Sequence, residues 1–125
     1  MSYKHENPNP DGKNVGDCTV RAIALATNRS WLEVYLTLCI YGLLESNMPD
    51  SNEVWMKYLT DTGWTFHRLQ DSCPFCYTVA DFARDYNRGT FIVGTGTHVI
   101  CVDEGDWLDA WDSGEKVPLF YFSKE

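Results

Sequence analysis

Apolar residues recur at helical spacing in the first two thirds of the chain and in short strand-like runs in the last third. The run CTVRAIALAT, which begins at Cys18, repeats apolar residues every three to four positions and predicts a helix with one buried face. Three further helices are predicted from SWLEVYLTLCIYGLL, EVWMKYLTDT and TVADFARDYN, and strands from WTFHRLQ, TFIVGT, HVICVD, WLDAWD and PLFYFS. Helices followed by strands indicate an α+β domain with an antiparallel sheet.

Polar residues at the predicted helix starts support these assignments. Asp17 stands directly before the first helix, where a carboxylate is a good N-cap. Ser30 with Glu33, and Thr78 with Asp81, have the three-residue spacing of a capping box. The sequence therefore predicts where three of the four helices begin.

The first sixteen residues differ in composition from the rest of the chain. Residues 1–16 contain the run NPNP and two glycines, which is typical of a loop or a flexible N-terminal arm. Residues 17–125 are predicted to form one domain, because 125 residues with 44% hydrophobic content suffice for one core and not for two. Neither an internal repeat nor a linker divides this part.

Charge and cysteine content narrow the function classes. The formal net charge is −8 and no stretch clusters lysine and arginine, which argues against a nucleic-acid partner. The N-terminus is polar and no apolar run is long enough for a membrane helix, so a cytoplasmic protein without a membrane partner is expected. Five cysteines do not indicate a disulfide framework, and we expect free thiols in a reducing compartment.

Cys18 is the best candidate for a nucleophile. It occupies the predicted first turn of a helix, where unpaired backbone N–H groups and the positive end of the helix dipole favour a thiolate. The same N–H groups are suited to bind the oxyanion that forms when sulfur attacks a carbonyl carbon. The structural alternative is a small apolar residue buried at a helix start.

A base and an orienting acid follow later in the chain. His98 opens the strand HVICVD after a glycine-rich turn and is preferred as base over His5, in the arm, and His67, in a strand. A three-residue loop after that strand would place Asp112 opposite His98, whereas a loop of two or four residues would select Asp109. The three-residue register, and hence Asp112, is our preferred interpretation.

The stretches GDCTVRAIALAT, SWLEVY, GTFIVGTGTHVICVDEG and DAWDSGE resemble small papain-like cysteine peptidases of bacteria and their phages. The resemblance implies a papain-like fold, cytoplasmic location in the cell or phage host, and a Cys-His-Asp triad in the order Cys18, His98, Asp112. Papain-like enzymes place an oxyanion-binding glutamine six residues before the nucleophile, where this chain has Gly12. Asn14 is the nearest amide side chain that could replace it.

These residues predict hydrolysis of a peptide or protein amide through an acyl thioester, with no cofactor and no metal. The acidic charge is compatible with a basic substrate. A different class is a non-enzymatic acidic interaction or inhibitor protein that uses the same fold. A third alternative is a dithiol oxidoreductase, because Cys73 and Cys76 have CxxC spacing before a helix, although the surrounding elements do not match a thioredoxin-like domain and no further ligands for zinc follow.

Overall fold

The computed structural model describes residues 1–124, which form four helices and one six-stranded mixed sheet. The helices are α1 (Cys18–Thr27), α2 (Trp31–Leu44), α3 (Asn52–Asp61) and α4 (Val79–Asp85). The strands are β1 (Tyr3–His5), β2 (Trp64–Arg68), β3 (Thr90–Gly94), β4 (Val99–Asp103), β5 (Asp106–Asp109) and β6 (Phe120–Lys124). Their order across the sheet is β1-β5-β4-β3-β6-β2. The predicted α+β class is confirmed.

The capping predictions are confirmed for α2 and α4. Ser30 and Glu33 form a reciprocal capping box at the start of α2, and Thr78 and Asp81 form another at α4. Asp17 occupies the N-cap position of α1, but its side chain makes no capping hydrogen bond there. The carboxylate instead contacts Arg21, one helical turn later, and so serves an ion pair.

Two apolar clusters lie on opposite faces of the sheet. The first joins α1, α2 and α3 to the sheet and includes Ile23, Leu38 and Ile92. The second surrounds α4 and includes Phe82 and Val93. Neighbouring residues of β3 thus contribute to different clusters, as the two-residue period of a strand requires. Because α1 packs against β4, the start of α1 lies beside the start of that strand.

The sheet differs from the predicted antiparallel one at its edge. Strand β1 pairs with β5 in parallel, while the remaining strand pairs are antiparallel. Residues 3–5, which we assigned to the flexible arm, therefore form hydrogen bonds with the sheet. Among the residues that the structure describes, no helix combines the length and apolarity needed to cross a membrane.

The hairpin between β4 and β5 has a two-residue loop. Asp103 pairs with Asp106, which leaves only Glu104 and Gly105 in the turn. Both have positive φ angles, 50° and 82°, as the favoured two-residue hairpin turns require. The predicted three-residue loop is therefore wrong, and the register is shifted by one residue from the preferred interpretation.

Candidate functional site

Cys18 and His98 lie together at one cavity, although eighty positions separate them in the sequence. Cys18 is the first residue of α1, and His98 directly precedes β4. Both line a cavity of about 420 Å³, whose walls also include Arg21, Trp55 and Trp111. The packing of α1 on β4 produces this meeting, so the fold itself places the thiol beside the imidazole.

The Cys18 sulfur is surrounded by groups that stabilise a thiolate. His98, the Val99 backbone N–H and the Thr19 hydroxyl are placed to favour the charged form of the sulfur. Burial raises the pKa of the Cys18 thiol, but the interactions with these three groups outweigh burial and bring the pKa below its ordinary value of 9.0. A larger fraction of Cys18 is therefore thiolate near neutral pH than of an ordinary thiol.

His98 is held between Cys18 and Asp109. Its Nε2 atom lies 2.6 Å from Oδ2 of Asp109, which leaves Nδ1 as the ring nitrogen free to face the sulfur. Burial lowers the pKa of His98, but the hydrogen bond with Asp109 and the interaction with Cys18 raise it to about 9. The Trp111 ring lies over His98, with 4.7 Å between ring centroids. The site thus favours an imidazolium ion beside a thiolate.

Asp109 is the last residue of β5, and its carboxylate is fully enclosed by hydrogen-bond donors. The side chain is 2% exposed. Besides His98, the Ser113 hydroxyl donates to it over 2.7 Å and Nη2 of Arg21 over 3.2 Å. Burial raises the pKa of Asp109, but the donors, above all His98 and Ser113, hold that pKa below its ordinary value of 3.8. These donors therefore favour the ionised form of the carboxylate.

Asp112 does not make the predicted contact with His98. Its carboxylate accepts hydrogen bonds from the Trp107 indole over 2.8 Å and from the Gly114 backbone N–H over 3.0 Å. The two-residue loop of the hairpin is the cause, because continuing its register places Trp111 opposite His98. Our preference for Asp112 was wrong, and the alternative, Asp109, is the residue that the structure places against the imidazole.

Asn14, the oxyanion-hole candidate, is exposed and lines a smaller cleft together with Arg21 and Trp111. Asn14 does not line the neighbouring cavity that contains Cys18 and His98, although the two share Arg21 and Trp111. The first-turn N–H groups of α1 remain as donors beside Cys18. Asn14 thus has no contact that supports the predicted role.

Sequence reasoning missed Arg21, which joins α1 to the sheet. Arg21 is 5% exposed and forms ion pairs with Asp17 and with Asp109, the latter at 3.2 Å. The Trp31 indole also donates to Asp17 over 2.9 Å. The sequence contains one signal for the pair with Asp17, because Arg21 interrupts an apolar helical run one turn after that aspartate. Its partner in β5 is 88 positions away, which local spacing does not reveal.

The cysteines fall into two groups. Cys73 and Cys76 form a disulfide in the loop before α4, so the expectation of free thiols is wrong for this pair. The reason is local, because the turn through the two intervening residues brings the two Cα atoms to 4.2 Å. The free cysteines besides Cys18 are Cys39, on α2, and Cys101, where burial raises the pKa of the thiol. Within residues 1–124, no cluster of three or more possible metal-binding side chains occurs.

A second cavity adjoins the first. It has a volume of about 550 Å³ and shares Val15, Gly16 and Asp50 with the cavity that contains Cys18. Its inner wall is apolar and includes Trp31 and Leu38. An extended chain bound at Cys18 would thus have an apolar cavity within reach.

The electrostatics of the pair predict the pH dependence of alkylation. In a Cys39→Ser, Cys101→Ser background, iodoacetamide should modify Cys18 at a rate that reaches half its maximum below pH 9.0, because the pKa of this thiol is lowered. Replacing His98 by glutamine should move that midpoint to higher pH. Burial raises the pKa of the Cys18 thiol, and the charge of His98, which lowers that pKa, is then absent. Rates measured from pH 5 to pH 10 by mass spectrometry test this, and identical profiles would contradict it.

Comparisons with protein-family models, with curated proteins and with solved structures return no match for this chain.

Proposed function

We propose that this protein is a papain-like cysteine hydrolase that cleaves amide bonds of a peptide or protein. The observation that carries the proposal is the continuous chain of contacts from Cys18 through His98 to Asp109, which opens into a cavity. A helix start that carries the thiol, followed in the sequence by a histidine and an aspartate from the sheet, is the arrangement expected for this class. The papain-like assignment is part of the proposal.

Each residue has a defined role in the proposed reaction. The Cys18 thiolate attacks the carbonyl carbon, and the oxyanion that forms accepts hydrogen bonds from first-turn N–H groups of α1. The His98 imidazolium then gives its proton to the leaving amine, and a thioester remains. Water attacks the thioester while His98 takes its proton, which releases the carboxylic acid and restores the Cys18 thiolate beside the His98 imidazolium. Asp109 keeps the imidazole in one orientation throughout.

Two features of the surroundings support acyl transfer over a purely structural role. Cys18 lines the cavity, so a carbonyl group bound there can approach the sulfur. Trp111 covers one face of His98 and reduces contact of the imidazole with water, which strengthens its hydrogen bond to Asp109. A structural cysteine would need neither a raised histidine pKa nor an ionised buried acid.

A small activated ester tests the reaction without knowledge of the natural substrate. With p-nitrophenyl acetate we expect the Cys18 thiolate to displace p-nitrophenolate, form an acetyl thioester and turn over by hydrolysis. Cys18→Ala should abolish both p-nitrophenolate release above background and the acetylated protein mass. His98→Ala should lower the rate on the order of 100-fold or more, as loss of a general base does.

A matched control is Cys39→Ser, which removes a free thiol outside the cavity and should leave the rate unchanged. Ester cleavage that persists in Cys18→Ala would contradict the proposal. So would iodoacetamide labelling of Cys18, Cys39 and Cys101 at equal slow rates, the result expected for a non-enzymatic interaction protein.

A further inference from the structure

The outer face of α2 is apolar, in contrast to the polar outer face of an ordinary surface helix. Val34 and Leu38 are buried and mark the side of α2 that faces the core. The opposite side, which we name the α2 outer face, carries Glu33 and five apolar residues that are between 53% and 78% exposed, namely Leu32, Leu36, Ile40, Leu43 and Leu44. Contiguous exposed apolar surface of this kind marks an interaction site.

We propose that the α2 outer face pairs with the same face of a second copy of this chain, with the two helices antiparallel about a two-fold axis. Leucine or isoleucine occurs at every fourth position, at 32, 36, 40 and 44. Antiparallel helices centred between Leu36 and Ile40 place Leu36 opposite Ile40 of the second copy, and Leu32 opposite Leu44 of the second copy. The stripe is thus complementary to itself, as a two-fold interface requires.

Charge supports a second copy despite the net charge of −8. Glu33 is the single charged residue within α2. In the antiparallel arrangement the two Glu33 side chains are ten residues of helix apart, about 15 Å along the axis, which exceeds the Debye length of about 8 Å at physiological salt. Like-charge repulsion across the paired helices is therefore small.

The ends of α2 are complementary in charge. Arg29 precedes the helix and Glu45 follows it, and both residues are exposed, although Arg29 also donates to the Tyr58 hydroxyl over 2.7 Å and lies 3.9 Å from the Glu33 carboxylate. The antiparallel arrangement brings Arg29 of each copy to the end of the helix that carries Glu45 of the other, which gives two opposite-charge pairs. A parallel arrangement would instead place Arg29 beside Arg29 and Glu45 beside Glu45.

The size of the surface sets the expected affinity. A standard interface takes about 800 Å² from each partner, and the face of one helix about 20 Å long lies at or below that size. Met48, which is 67% exposed, extends the apolar surface beyond the C-terminal end of α2. We therefore expect a dimer with a dissociation constant in the micromolar range, about 1–100 μM.

Analytical ultracentrifugation of the full chain from about 1 to about 500 μM tests the dimer. The mass should rise from 14.3 kDa to twice that value across the range. The variant Leu36→Glu with Ile40→Glu should stay monomeric and keep its thermal midpoint at low concentration, since both side chains face solvent in the monomer. Leu119→Glu, at an apolar residue exposed to a similar degree outside α2, is the matched control and should dimerise like the wild type.

A wild type that stays monomeric throughout, or a dimer that the double glutamate variant retains, would overturn the proposal. The arrangement is tested by cysteine pairs in a Cys39→Ser background. In the double variant Leu36→Cys with Ile40→Cys, each new cysteine faces one of the second copy, so oxidation should give a covalent dimer. In Leu32→Cys with Leu36→Cys, the new cysteines face residues 44 and 40 of the second copy, so oxidation should not. The reverse result would overturn the antiparallel register. The dimer does not depend on the proposed activity.

Discussion

Replacing Asp109 by asparagine is expected to slow turnover of p-nitrophenyl acetate on the order of 100-fold or more, while Asp112→Asn leaves the rate near that of the wild type. Asparagine keeps the shape of the side chain and removes its negative charge. The hydrogen bond with Asp109 is the largest of the effects that raise the pKa of His98 to about 9. Without that charge the imidazolium loses its principal stabilisation, and the Cys18 thiolate loses its positive neighbour.

The pKa of His98 separates this effect from general destabilisation. In a Cys18→Ala background, NMR titration of the His98 ring should show a lower pKa in Asp109→Asn than in the parent protein and no change in Asp112→Asn. Rates and titrations are compared at a temperature where circular dichroism shows all variants folded. An equal loss of rate in the two asparagine variants would contradict the role of Asp109.

The helices of this protein were predictable because their determinants are local. The apolar period of α1 and the capping pair Ser30 and Glu33 act within a few residues of the chain, and the structure contains both elements where predicted. The positions of Cys18 and His98 followed from the same local signals, a helix start and a strand start. Their approach to each other depends on how α1 packs on β4.

The turn between β4 and β5 decides which aspartate contacts His98. The loop consists of Glu104 and Gly105, and Glu104 adopts a φ of 50°, which is uncommon for a residue other than glycine. Sequence alone therefore favoured a longer loop with a different register. A shift of one residue exchanged Asp112 for Asp109, because every side chain changes face with such a shift.

Contacts between distant parts of the chain were not predictable. Strand β1 has three residues, too few for alternation to be recognised, and it is fixed by pairing with β5. Arg21 meets Asp109 only after α1 and the sheet have packed. Both cases concern the end of β5, where several elements converge on one buried carboxylate.

Arg21→Met is expected to lower the free energy of unfolding by about 3–5 kcal/mol, because it leaves two buried carboxylates without their common cation. Arg21 is 5% exposed, and its partners Asp17 and Asp109 are 8% and 2% exposed, so water does not replace the lost ion pairs. Methionine has a similar length and no charge, which limits the loss of packing. Urea denaturation measures the change.

Two companion variants identify the cause of that loss. Arg84→Met removes an arginine whose ion pairs with Asp81 and Asp85 are exposed, and it should leave the denaturation midpoint nearly unchanged. Adding Asp17→Asn to Arg21→Met should recover part of the lost stability, because the buried charge of Asp17, which has lost its cation, is then absent. Asp17→Asn alone lowers the free energy of unfolding by some amount. If it lowers that of Arg21→Met by the same amount, the two residues act independently. Recovery would instead establish that the uncompensated charge of Asp17, rather than lost packing, accounts for part of the instability of Arg21→Met.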